Sequence, residues 1–167
     1  MARIDDLDPL ERLFLKGYPF KRFAPRPDDP VTTAVTTLRK PLAQCTVALV
    51  TTAGLSLPGQ PPFDTSIKRG DSSFREIPSA VALESLEMNH RSWAFDYRGV
   101  LRDRNLALPL DRLSEMRERG EIRAIAPRHY SFMGSIVGPA KLTRTSAPEV
   151  ARLLTEDSVD VVLLTPF

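Results

Sequence analysis

Hydrophobic positions along the chain fall into two kinds of run. One kind recurs at helical spacing. Leu10, Leu13 and Phe14 do so within Pro9–Lys16, behind an Asp8-Pro9 start. Leu110, Leu113 and Met116 do so within Pro109–Arg119, which Gly120 closes. Val150, Leu153 and Leu154 do so from Ser146 to Asp157, with Ser146 as the expected cap and Pro148 in the first turn. The other kind is short, continuous and rich in β-branched residues: Cys45–Thr51, Ile122–Ala126 and Val159–Leu164. Ala80–Met88 alternates from Leu83 onward and is read as a further strand.

Strands of this kind alternating with amphipathic helices predict an α/β fold. It is expected to be a single domain with a mostly parallel sheet flanked by helices, three-layered in the Rossmann or flavodoxin manner. Two stretches stay outside the pattern. Tyr18–Pro41 carries Pro19, Pro25, Pro27, Pro30 and Pro41 and is read as an extended arm. Leu55–Glu76 is read as a long loop. The expected organisation is therefore a helix and proline-rich arm over 1–41, followed by the α/β domain over 42–167.

Composition narrows the class. A chain of 167 residues can bury roughly two-thirds of its unfolded surface. Its 23 basic and 21 acidic side chains leave a net charge of only +2, which gives no reason to expect nucleic acid. No apolar run reaches the ~20 residues that span a bilayer, and the start Met1–Asp6 is acidic, so a cytoplasmic location is expected. Cys45 is the sole cysteine. It allows no internal disulfide, and as a buried strand residue it is expected to be inert.

In an open parallel sheet, ligands bind beyond the carboxyl ends of the strands. The residues expected there are Thr52–Gly54, Asn89 and His90, Pro127–Tyr130, and Thr165–Pro166. Both histidines of the chain fall in this set, which makes His90 and His129 the candidate catalytic residues, with Asp96 as a carboxylate partner. A hydrogen-bonded loop role explains each equally well. A divalent metal held by His90 and His129 with Asp96 or Asp71 is an alternative, although no His-x-x-x-His spacing supports it. Arg75 beside Glu76, and Arg128 beside His129, could grip a substrate carboxylate. With Gly54, Asp71, Ser72 and Tyr130 they complete the candidate substrate-binding set. Phosphate-loop and nucleophile-elbow glycine patterns are absent.

Several long motifs carry a resemblance. They are Val47–Leu55, Pro61-Pro62-Phe63-Asp64, Gly70–Pro78, Pro109–Leu113, Ala126–Gly134 and Val159–Pro166. In this order they resemble the selenoprotein B subunits of the glycine/sarcosine/betaine and D-proline reductases, from about Leu38 onward. The resemblance implies reductive cleavage of a carbon–heteroatom bond, typically carbon–nitrogen, in a small amino acid or betaine. It also implies a selenocysteine or cysteine paired with a second cysteine, re-reduced by a thioredoxin-like dithiol donor, and no other cofactor.

Two departures stand out. The run Asn89–Asp96 matches the family's pattern only at His90 and Asp96. The redox pair implied after the last strand has no counterpart, so the sequence is expected to stop short of it, at a codon for selenocysteine read as stop. The chain alone is then expected to be inactive, and to self-associate or lean on another subunit.

Overall fold

The computed structural model describes residues 37–92 and 97–167. The expected Pro9–Lys16 helix, the arm up to residue 36, and Asp96 lie outside the described residues. Leu38–Phe167 form one compact unit.

In chain order the strands and helices are β1 (Thr46–Thr51), β2 (Leu55–Ser56), β3 (Phe74–Pro78), β4 (Glu87–Met88), α1 (Tyr97–Arg102), α2 (Leu110–Glu118), β5 (Ala124–Ile125), β6 (Arg128–Phe132), α3 (Ala147–Glu156) and β7 (Val161–Thr165). The expected α/β architecture is what the chain adopts. β1 is its centre. One side of β1 runs parallel to β7 from Val47↔Val161 to Thr51↔Thr165. The other side is parallel first to β5 and then to β6. β3 closes the far side of β6 as an antiparallel edge.

β1 is buried because its pleat feeds two cores. Val47 and Leu49 pack with Leu110 and Leu113 of α2, together with Leu108 and Ile122. On the opposite face Val50 joins Tyr130 and Phe132 of β6, against Val150 and Leu153 of α3. Helices thus cover both faces of the sheet. β7 is the edge, and its Leu163 and Leu164 are 44% and 66% exposed. Its entry is tied down by Asp160, which accepts from the Thr46 amide at 2.8 Å and pairs with Lys40 at 2.8 Å. Both contacts hold the Asp160 carboxyl below its ordinary range.

Four expectations need correction. Ala80–Met88 is not one strand: Leu83–Ser85 make a single 3₁₀ turn, and only Glu87–Met88 pair, antiparallel to Leu55–Ser56. The alternation there buries Leu83 and Leu86 from a turn rather than from a pleat. The Leu55–Glu76 stretch is not all loop, since it holds β2 and the start of β3. The strand expected to end at Ala126 continues past Pro127 as β6, so His129 and Tyr130 lie within the sheet and not after it. Finally, Ser146 is no cap. It is buried and helical, and a π-helical turn over Leu142–Ser146 precedes α3. Pro148 cannot donate to the Arg144 carbonyl and would crowd it in a regular helix; the wider turn takes up that misfit.

Candidate functional site

The junction between β5 and β6 decides what His129 does. Val47 pairs with Ile125 and Val50 with Tyr130. Three steps along β1 therefore match five along its partner, and the two extra residues make a bulge at Ala126-Pro127. The bulge would strand backbone groups of β1 in the core. The Ala126 amide reaches the Val47 carbonyl at 2.8 Å. The Leu49 amide finds no backbone partner there and donates instead to His129 Nδ1 at 3.0 Å.

An imidazole that accepts at Nδ1 is neutral and carries its proton on Nε2. That nitrogen lies 3.3 Å from Ser79 Oγ, which in turn donates to the Ala126 carbonyl. His129 is fully buried, and desolvation lowers its pKa to about 4. His129 is therefore a strut between strands rather than a proton donor at the rim.

His90 sits elsewhere. Its Nδ1 accepts from the Ser92 amide at 3.0 Å, and the Thr52 carbonyl stands on the Nε2 side of the ring, both near the point that a Cβ on Gly134 would take. Burial outweighs that carbonyl and lowers its pKa below the ordinary histidine value. The two imidazoles share no contact. Their neighbours Leu49, within β1, and Thr52, just past its end, are three positions apart, roughly 10 Å of extended chain. The expected pairing of both histidines at one rim is not what the chain forms. Among the described residues no three His, Cys, Asp or Glu side chains converge to hold a metal ion.

Most of the expected substrate-binding set is likewise occupied. Arg75 donates to the carbonyls of Pro61, Pro62 and Phe74 and to Ser73 Oγ, with its guanidinium 4.2 Å above the Phe63 ring. Arg128 grips Asp157 through two bonds of 2.8 Å, with Glu76 at 3.5 Å. The Asp157 carboxylate raises its pKa further, so both arginines are structural cations. The Asp71 carboxylate accepts from the amides of Asp64 and Ser73, and Ser72 beside it is buried. Tyr130 is fully buried, and desolvation pushes its phenol up to about 12. Of this set, Gly54 stands at the carboxyl end of β1, and Asp71 and Ser72 stand beside the carboxyl end of β6, because β3 enters antiparallel with Phe74 opposite Phe132.

That rim has a definite construction. The Thr52 amide donates to the Thr165 carbonyl at 3.2 Å, and Thr52 Oγ1 accepts from the Phe167 amide at 2.8 Å. Gly54 donates to the Phe132 carbonyl and accepts from the Asn89 amide, both at 2.8 Å, so one residue joins β1, β6 and the Asn89–His90 segment. A Cβ on Gly54 would fall 2.2 Å from the Asn89 carbonyl, and its φ of +69° is a glycine conformation. Gly134, at φ +70°, faces the same place: its Cβ would lie 2.7 Å from the Thr52 carbonyl and 2.9 Å from His90 Nε2. Asn89 Oδ1 is buried without a hydrogen-bond partner among the described residues. The Thr52 carbonyl and Asn89 Oδ1 thus stand close together at these glycines, and acceptor oxygens suit a ligand that brings N–H donors. Gly134 and Asn89 were visible in the sequence only as residues following strands, and Gly134 only once β6 is recognised.

The fold defines an α/β domain with a mostly parallel sheet, the class in which ligands bind beyond the carboxyl ends of the strands. The chain matches the glycine/sarcosine/betaine reductase selenoprotein B family over residues 13–166, and it belongs to that family. It is 36% identical over 151 residues to the D-proline reductase subunit gamma of Acetoanaerobium sticklandii. That alignment takes in 90% of this chain and 59% of the relative, so the chain spans about three-fifths of the relative's length. No solved structure matches the chain.

Two predictions follow from these contacts. With a folded-state pKa of about 4 against an ordinary 6.5, His129 binds its proton only in the unfolded chain between those values. Its stabilisation is complete above pH 6.5 and is lost as pH falls towards 4, on the order of 3 kcal/mol in all. Denaturant melts of His129→Phe should show a loss of about 2 kcal/mol at pH 7, from the orphaned Leu49 amide, and most of that pH dependence gone. The remainder belongs to His90 and to the carboxylates that folding holds below their ordinary range, Asp71 and Asp160 among them. Gly134→Ala should cost about 2 kcal/mol, from the left-handed backbone and the Thr52 carbonyl together, read as a lowered Tm.

Proposed function

We propose that this chain is the substrate-binding domain of a selenoprotein B-type reductase. It holds the N–H-bearing amino end of a small amino acid at the rim formed by Thr52, Gly54, Asn89, His90 and Gly134. The family match over residues 13–166 carries this reading. The rim supports it, because it offers acceptors: the Thr52 carbonyl and Asn89 Oδ1. Neutral His90 acts there as a clip between the Thr52 carbonyl and the Ser92 amide, fixing the segment that carries Asn89.

The reaction of this class is a two-electron reductive cleavage. The carbon–nitrogen bond breaks, a carbon–hydrogen bond replaces it, and a dithiol or selenol–thiol pair is oxidised. Cys45 does not supply those electrons. It is the only cysteine of the sequence and is fully buried at the amino end of β1, the opposite end from the rim. The reducing pair therefore comes from a partner or from residues beyond this sequence.

The test is titration calorimetry of the chain with D-proline, glycine, sarcosine and betaine. At least one should bind, and Asn89→Leu should weaken it about tenfold with Tm unchanged, the loss expected for one buried hydrogen bond. Binding of none of the four, or equal binding by Asn89→Leu, overturns the reading. Turnover of any of them by this chain with dithiothreitol alone contradicts the account of the missing thiols.

A further inference from the structure

We infer that the two loops flanking the rim, 64–70 and 135–144, form a docking surface for an acidic protein partner that covers the rim. The inference rests on the proposed site only for what the partner covers.

The loops are one surface. The Gly138 amide donates to the Arg69 carbonyl at 3.1 Å, and the Arg69 side chain lies across Gly138, where a Cβ would meet it at 2.9 Å. Gly70 packs as closely on Ile136, with a Cβ there falling 2.8 Å from its Cα. Arg91, next to His90, donates to the Ile67 carbonyl and brings the rim segment onto the same surface. Gly134 of the rim opens directly into the second loop.

The charge here is one-sided. Lys68, Arg69, Arg91, Lys141 and Arg144 meet one carboxylate in these stretches, Asp64, in a chain whose whole excess is only +2. Asp64 is taken up locally by the Ser66 amide and hydroxyl, which lower its pKa. No ion pair among the described residues uses any of the five cations. Lys141 and Arg144 are both exposed, at and within the π-helical turn that ends the second loop.

The surface also carries exposed aliphatic side chains. Ile67, whose carbonyl accepts from Arg91, is 41% exposed, and Val137, beside the Gly138 on which Arg69 lies, is 76% exposed. Apolar side chains among cations suit a protein interface, with the charge setting partner choice and approach. A nucleic-acid surface would place aromatic rings for stacking between the cations, and the two loops have none. A small anion would need the cations to converge on one point, whereas these stand out from two loops and a helix.

The experiment uses the full chain and two labelled peptides of equal length and charge, built from Glu-Glu-Leu or Glu-Glu-Ser repeats, read by fluorescence anisotropy. The leucine peptide should bind about tenfold more tightly, a preference that Val137→Asp abolishes. Lys68→Glu with Arg69→Glu should weaken it about tenfold, while Arg102→Glu with Arg117→Glu, on α1 and α2, should leave it unchanged. Equal affinity for the two peptides overturns the inference. So does an equal loss in the α1/α2 variant, or tighter binding of a single-stranded oligonucleotide of the same charge. Amino acid binding at the rim is measured separately, so either conclusion can fail without the other.

Discussion

A buried backbone amide with no strand partner organises this fold. The register of β1 against β5 and β6 does not close: its partner spends two more residues than β1 does over the same span. In a sheet centre, an orphaned N–H costs about as much as a lost hydrogen bond, enough to matter against a domain's total stability. The imidazole of His129 fills that vacancy and is held by Ser79, itself anchored to Pro127 through its amide. A side chain thus completes a ladder that the backbone leaves open.

The position of the rim follows from the same register. Because β6 regains its pairing at Val50↔Tyr130 and Thr51↔Ser131, the Phe132 carbonyl arrives where it can accept from Gly54. Ser131 Oγ accepts from the Leu55 amide at 2.8 Å, repeating one turn of chain later the device that His129 uses for Leu49. Both stitches are polar groups in the core, which specifies one register rather than several. The glycines at 54 and 134 then let the Asn89–His90 segment approach the end of β1 to within contact distance.

The sequence makes some of this legible. β1 and β7 announce themselves as uncharged apolar runs, β1 because both its faces feed a core and β7 although it is an edge, and α2 does so because Leu110 and Leu113 repeat on one face ahead of Gly120. β6 hides. Its inward residues include His129 and Ser131, so its pattern reads as polar loop, and Pro127 suggests a break where the chain only bulges. β3 hides for a different reason: Phe74–Pro78 is a half-buried edge whose Arg75 and Glu76 serve the loops and α3. The strand-end rule placed Thr52, Gly54 and His90 correctly at the rim, but misplacing one boundary sent His129 there as well. The family resemblance was legible because it depends on motif order, which does not require knowing where strands end.

The most direct check on this account is the protonation state of one ring. ¹⁵N chemical shifts of the His129 imidazole across about pH 5.5–8, well above its lowered pKa of about 4, should show unprotonated Nδ1 accepting a hydrogen bond and protonated Nε2 throughout. A ring that titrates near 6.5, or carries its proton on Nδ1, would mean that it does not hold the Leu49 amide, and the register argument would fall with it.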